Sequence, residues 1–77
     1  MTLWDLKPKK KGFIQSIDKK IDSRFLNRLR DIGFEIREEI QCLKTTPLNG
    51  PKIFQIGDGV FSLEKEIAQN IIIQAIG

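Results

Sequence analysis

Few side chains in this 77-residue chain are reactive or ligating, and their types already narrow what they could do. The chain has no histidine and one cysteine, Cys42. Zinc and ferrous iron are normally held by a fixed set of imidazole, thiolate and carboxylate ligands, so no intrinsic metal site is expected. Glu35, Glu38 and Glu39 form an acidic cluster that could attract a hard cation weakly, but acids this close together after a helix read first as a solvated turn. Ser16, Ser23 and Ser62 lie in no motif that would activate a hydroxyl, and no imidazole is present to act as a base. Paired carboxylates need a deep cleft to separate their pKa values, and so short a chain rarely encloses one. The expectation is no catalytic residue, no cofactor and a function in recognition.

Two stretches are candidates for recognition. "TTPLNGPKIFQIGDGVFSLEKE" holds two prolines and three glycines. It is not a phosphate cradle, because that requires glycines leading directly into a helix whose free amides meet the anion, whereas Gly57 and Gly59 lead into the strand pattern "VFSL". The loop Pro47, Leu48, Asn49, Gly50 and Pro51 is the candidate partner-binding segment: Leu48 either projects between two prolines, where docking would cost little entropy, or folds back onto the body. The second stretch is a basic patch of Lys7, Lys9, Lys10 and Lys11. It makes residues 1–30 carry nine basic and three acidic side chains against four and seven in the remainder. Such asymmetry suits a phosphate-bearing or anionic-lipid surface, or serves solubility alone. Nucleic acid is the weaker candidate, since single-strand binders interleave aromatic stackers with positive charge. Here Phe13, Phe25, Phe34, Phe54 and Phe61 fall on core faces or beside a helix end, and Trp4 is expected to cover an open end of its own fold.

These segments need a scaffold, and the length limits it to one small core spanning residues 1–77. Thr2 and Asp5 resemble a capping pair, with Pro8 allowing at most one turn before the chain extends. "GFIQSI" reads as a strand. In "SRFLNRLRDIG", Phe25, Leu26, Leu29 and Ile32 share one helix face, Asp22 or Ser23 caps the start, and Gly33 suits a left-handed C-terminal cap. "EEIQCLK", "KIFQI" and Val60–Leu63 alternate as half-buried strands, with Asp58-Gly59 as the central pair of a type I′ hairpin turn. "EKEIAQN" gives a single helical turn and "IIIQAI" a last strand. The outline is mostly β: a small, strongly bent antiparallel barrel of about five strands with one short inserted α-helix, closed so that few edges stay exposed. A lone buried cysteine fits a reducing compartment. The basic residues follow a very short apolar patch, the reverse of a secretory signal, and no apolar run is long enough to span a bilayer. A cytoplasmic location is expected.

In order and over nearly the whole chain, "LWDLKPKKKGFIQSI", "RFLNRLRDIGFEIREEIQCL" and "PLNGPKIFQIGDGVFSLEKEIAQNI" resemble the FeoA family of small bacterial proteins. The resemblance implies an SH3-like barrel and a cytosolic, non-enzymatic accessory of ferrous iron transport and iron homeostasis. The implied partner is the FeoB transporter, a membrane protein with a cytosolic GTP-binding domain, and transition metal ion binding is an association at family level. The family often has Pro-Gly where this chain has Ile36-Arg37, and Gly where it has Lys9. A different turn is therefore expected at Ile36-Arg37, since positive φ is costly for such residues. The lysine run is then this chain's own addition, facing anionic lipid at the inner face of the membrane near the transporter. Similar barrels also end metal-dependent transcription repressors, so a stand-alone regulatory module is an alternative, as is a small basic nucleic-acid-binding barrel.

Overall fold

In a computed structural model that describes residues 1–76, five strands form one antiparallel sheet in the order β4-β3-β2-β1-β5. The strands are β1 (Lys11–Ile17), β2 (Glu39–Lys44), β3 (Lys52–Ile56), β4 (Gly59–Leu63) and β5 (Ile71–Ala75). Helix α1 (Ser23–Asp31) joins β1 to β2, and the single turn α2 (Lys65–Ala68) joins β4 to β5. Register shifts between Ile14 and Ser16 and between Cys42 and Lys44 mark irregularities that bend the sheet. Ile14, Ile40, Cys42, Phe54, Ile71 and Ile73 line its concave side. The sheet curls without closing: among the described residues no pairing joins β4 to β5. The outer edge of β5 is instead covered at the Thr2–Ile72 bridge and by the Ile73 N–H donating to the Met1 carbonyl at 2.9 Å.

Helix α1 ends as its residue types require. The Arg24 N–H donates to Asp22 Oδ1 at 2.9 Å, which makes Asp22 the cap. At the other end the Gly33 N–H reaches the Arg30 carbonyl (3.1 Å) and the Phe34 N–H reaches the Leu29 carbonyl (2.9 Å), with Gly33 at φ 98. These are the two bonds of a Schellman termination, and its usual apolar contact is supplied by the buried Phe34 and Leu29. Phe34 also meets the ring of Phe61 edge to face, centroids 5.9 Å apart.

Three local expectations are corrected. Phe25 is 47% exposed because it lies in the first turn of α1, ahead of the point where Leu29 and the Gly33 reversal bring the chain onto the sheet. Phe13 is 44% exposed because the strand alternation turns Gly12 and Ile14 inward. Gly12 has no room for more: a Cβ there would lie 3.0 Å from the Gln74 carbonyl oxygen and from Ile73 Cδ1. The β3–β4 turn is centred on Gly57-Asp58, not Asp58-Gly59, because Ile56 pairs with Gly59 to keep Phe54 and Ile56 inside. Only Gly57 has positive φ (55), as in a type II′ turn with glycine first.

The N-terminal residues 3–5 form one 3₁₀ turn, and Asp5 Oδ2 accepts from both the backbone N–H and the hydroxyl of Thr2, each at 3.0 Å. Those bonds, the backbone one first, hold the Asp5 carboxyl below its usual range, and the Arg24 N–H does the same for Asp22. With the folded-state value depressed, the Asp5 contribution is complete above the ordinary carboxyl pKa of about 4 and is lost as pH falls through the folded value. Thermal melts of Asp5→Asn should therefore lie below wild type at neutral pH and converge with it in strong acid. Parallel curves at every pH would contradict this.

Candidate functional site

The β2–β3 loop is held at its base and open at its tip. Thr46 Oγ1 donates to the Pro51 carbonyl at 2.7 Å, tying the two ends together. Gly50 allows that closeness, since a Cβ on it would come within 2.5 Å of Thr46 Oγ1. The Gly50 N–H returns to the Pro47 carbonyl at 3.1 Å, and the two residues between, Leu48 (φ 59, ψ 38) and Asn49 (φ 56), are both left-handed. This is a type I′ turn, whose central positions suit Asn, Asp and Gly. Asn49 conforms, whereas a left-handed leucine costs roughly 1–2 kcal/mol. Leu48 is also 100% exposed, with no compensating contact within its own fold. Of its two sequence-level alternatives, projection is the one observed.

The lysines sit on a second turn. The Lys10 N–H donates to the Lys7 carbonyl at 3.0 Å, with Pro8 first and Lys9 second between them, and Lys9 takes φ 69. Proline followed by a positive-φ residue defines a type II turn. Lys7, Lys9, Lys10 and Lys11 are all exposed, and the turn is fastened to β2 by Lys9 N–H to the Cys42 carbonyl (2.7 Å) and Cys42 N–H to the Lys10 carbonyl (3.0 Å). The Leu48 loop leaves the same end of β2 just beyond Lys44, so the fold brings the two candidate segments to one end of the sheet.

At Ile36-Arg37, where a turn avoiding positive φ was expected, positive φ is observed. The Glu38 N–H bonds the Glu35 carbonyl at 3.1 Å across Ile36 and Arg37, and Arg37 itself takes φ 76. The geometry is imposed because the Arg37 N–H reaches the Ile14 carbonyl (2.7 Å) while the Ile14 N–H reaches the Glu38 carbonyl (2.9 Å). Lys9→Gly and Arg37→Gly should each raise stability by about 0.5–1 kcal/mol, the relief of left-handed strain exceeding glycine's entropic cost. Each would raise the melting midpoint by a few degrees; a lower midpoint for both would contradict the strain argument.

Sequence reasoning missed a shallow depression of about 410 Å³ lined by Phe13, Ile14, Gln15, Ile36, Arg37 and Gln74. The available signal was Ile36, an apolar side chain in an otherwise polar turn. Among the described residues no three His, Cys, Asp or Glu side chains converge to hold a metal ion. Glu35, Glu38 and Glu39 are exposed, Glu39 lying 3.8 Å from Lys11. Cys42 is fully buried, and burial pushes its thiol pKa up, away from the reactive thiolate. Trp4 packs against the core as expected, its ring capped by Lys52 Nζ 4.7 Å from the centroid and its carbonyl accepting from the same ammonium. No helix among the described residues is long and apolar enough to cross a membrane.

A five-stranded antiparallel sheet curled around one core, with one inserted helix and its distinctive residues on exposed turns, defines an SH3-like module. The FeoA domain family matches residues 1–75, and the chain belongs to that family. Among solved structures it is similar to the FeoA of Stenotrophomonas maltophilia, crystallised with zinc and described as an SH3 domain protein and candidate ferrous iron transport activating factor. That match has 26% identity and a TM-score of 0.83, covering 96% of this chain and 89% of the other. Iron(II) transport protein A of Clostridium thermocellum matches with 26% identity and a TM-score of 0.90, covering 99% of this chain and 46% of that one. A manganese-dependent transcriptional repressor shares the fold, with 20% identity and a TM-score of 0.85 over 99% of this chain and 41% of its own. Among curated proteins no significant match is found.

Proposed function

We propose that this FeoA-family chain is a non-enzymatic, cytoplasmic accessory of ferrous iron uptake that acts by contact with a FeoB-type membrane transporter. Pro47–Pro51 is the contact segment and Leu48 its anchor. The observation that carries the reading is the fully exposed Leu48 on a left-handed turn. Backbone strain retained without an intramolecular return points to function at that residue, and a rigid apolar tip suits a partner pocket. The family membership and the name of the Clostridium relative supply iron transport as the setting.

The test is retention of the purified chain by immobilised cytosolic domains of such a transporter. Wild type should be retained and Leu48→Asp should not. Failure of wild type to bind, or equal binding by Leu48→Asp, would overturn the reading. So would purified protein that carries stoichiometric iron or turns over a substrate unaided.

A further inference from the structure

We infer that the Lys7–Lys10 turn is a docking surface for anionic phospholipid headgroups, placed beside the Leu48 loop so that lipid and transporter are engaged together; the second half of this inference rests on the function proposed above. Three observations carry it. Within the described residues, the ion pairs are Lys11–Glu39 and Arg24–Asp22, so Lys7, Lys9 and Lys10 have no carboxylate within ion-pair range. The nearest acid in sequence, Asp5, directs its carboxylate to Thr2. Among the described residues the ammonium groups thus meet no internal carboxylate and face outward to an external anion.

The turn is also rigid and directed. Its backbone is bonded to Cys42 in both directions, and Lys9 is kept at φ 69 where glycine would be relaxed. A tight turn fans consecutive side chains outward, and exposed Lys44 at the end of β2 adds a further cation at that end of the sheet. The Leu48 tip leaves from this same end, so a membrane-embedded partner bound there would bring the lysines close to the bilayer surface. At physiological salt the attraction reaches only about 8 Å, which makes this placement decisive.

Lipid is favoured over nucleic acid by what surrounds the lysines. The Trp4 ring is capped by Lys52, leaving that face closed to a base. Phe13, the nearest exposed aromatic in sequence, lies within β1 opposite Glu39 and outside the turn, so no stacker stands among the lysines. A lipid surface needs no stacking platform and rewards each lysine near it by roughly fivefold in partition. Three or four such contacts give weak, reversible attachment. Joined to a protein contact, they raise the local concentration of each at the other, and overall affinity exceeds either alone.

The experiment is vesicle flotation of the full chain with no transporter present, comparing pure phosphatidylcholine with phosphatidylcholine containing phosphatidylglycerol. Binding should require the anionic lipid and weaken steeply with salt. It should fall by roughly a hundredfold in the Lys7→Gln/Lys9→Gln/Lys10→Gln triple variant. Leu48→Asn should bind vesicles as wild type does while losing the transporter domains. No partition onto anionic vesicles at low salt, or a triple variant that floats like wild type, would overturn the inference, as would lysine-dependent binding to single-stranded DNA in place of vesicles. A circular dichroism melt confirms that the triple variant is folded. Vesicle failure with intact transporter retention removes only the lipid surface, and the reverse result removes only the transporter contact.

Discussion

Phe34→Ala is expected to destabilise the protein by about 3–5 kcal/mol, the range for emptying a buried phenylalanine site. Chains of this size have only about 4–12 kcal/mol in total, so the variant should lose a large share of its stability. The size of the effect follows from position. Phe34 is 0% exposed, its amide closes the termination of α1 on the Leu29 carbonyl, and its ring lies against Phe61. Alanine keeps the backbone bond but removes the apolar contact that accompanies it, leaving a void between helix and sheet. Phe25→Ala, half exposed at the other end of the same helix, should cost under about 1 kcal/mol. Urea denaturation of both decides the matter. Equal costs would show that α1 docks through its first turn after all.

Leu48→Asn is expected to act in opposite directions in two assays. Asparagine tolerates the left-handed region that leucine resists, so the fold should gain about 1 kcal/mol. Binding to the transporter's cytosolic domains should weaken at least thirtyfold, the loss that follows removal of an apolar anchor of about 2 kcal/mol. Leu48→Ala separates the two causes. It keeps the unfavourable backbone while deleting the anchor, so it should lose binding without gaining stability. Unchanged binding by the asparagine variant would place the contact elsewhere, and the Phe13–Ile36 depression would be the next surface to probe.

Much of this was legible along the chain because some structural decisions are local. Asp22 caps α1 since its short carboxylate reaches the amide two residues on, and Gly33 ends it since only glycine adopts φ near 98 at little cost. Cys42 and Phe54 were placed inside by alternation, and they pair across β2 and β3. The same pattern could not say which of Phe13 and Ile14 faces inward, because a strand with apolar residues on consecutive positions has two phases. The choice was made by Gly12, whose missing side chain fits against β5. Asp-Gly at 58–59 carries the local preference for a type I′ turn, yet cross-strand register moved the turn one residue back.

By itself, then, the order of residues determined a histidine-free, mostly β module with one helix, its caps and its apolar stripes. Only the folded arrangement decided that Lys9, Arg37 and Leu48 accept left-handed backbone, since that demand comes from bonds to distant strands or from closing a loop across its own base. It also decided that the lysine turn and the leucine tip share one end. Both outcomes depend on groups far apart in the chain meeting in space, where pairing and burial outweigh the preference of any single residue.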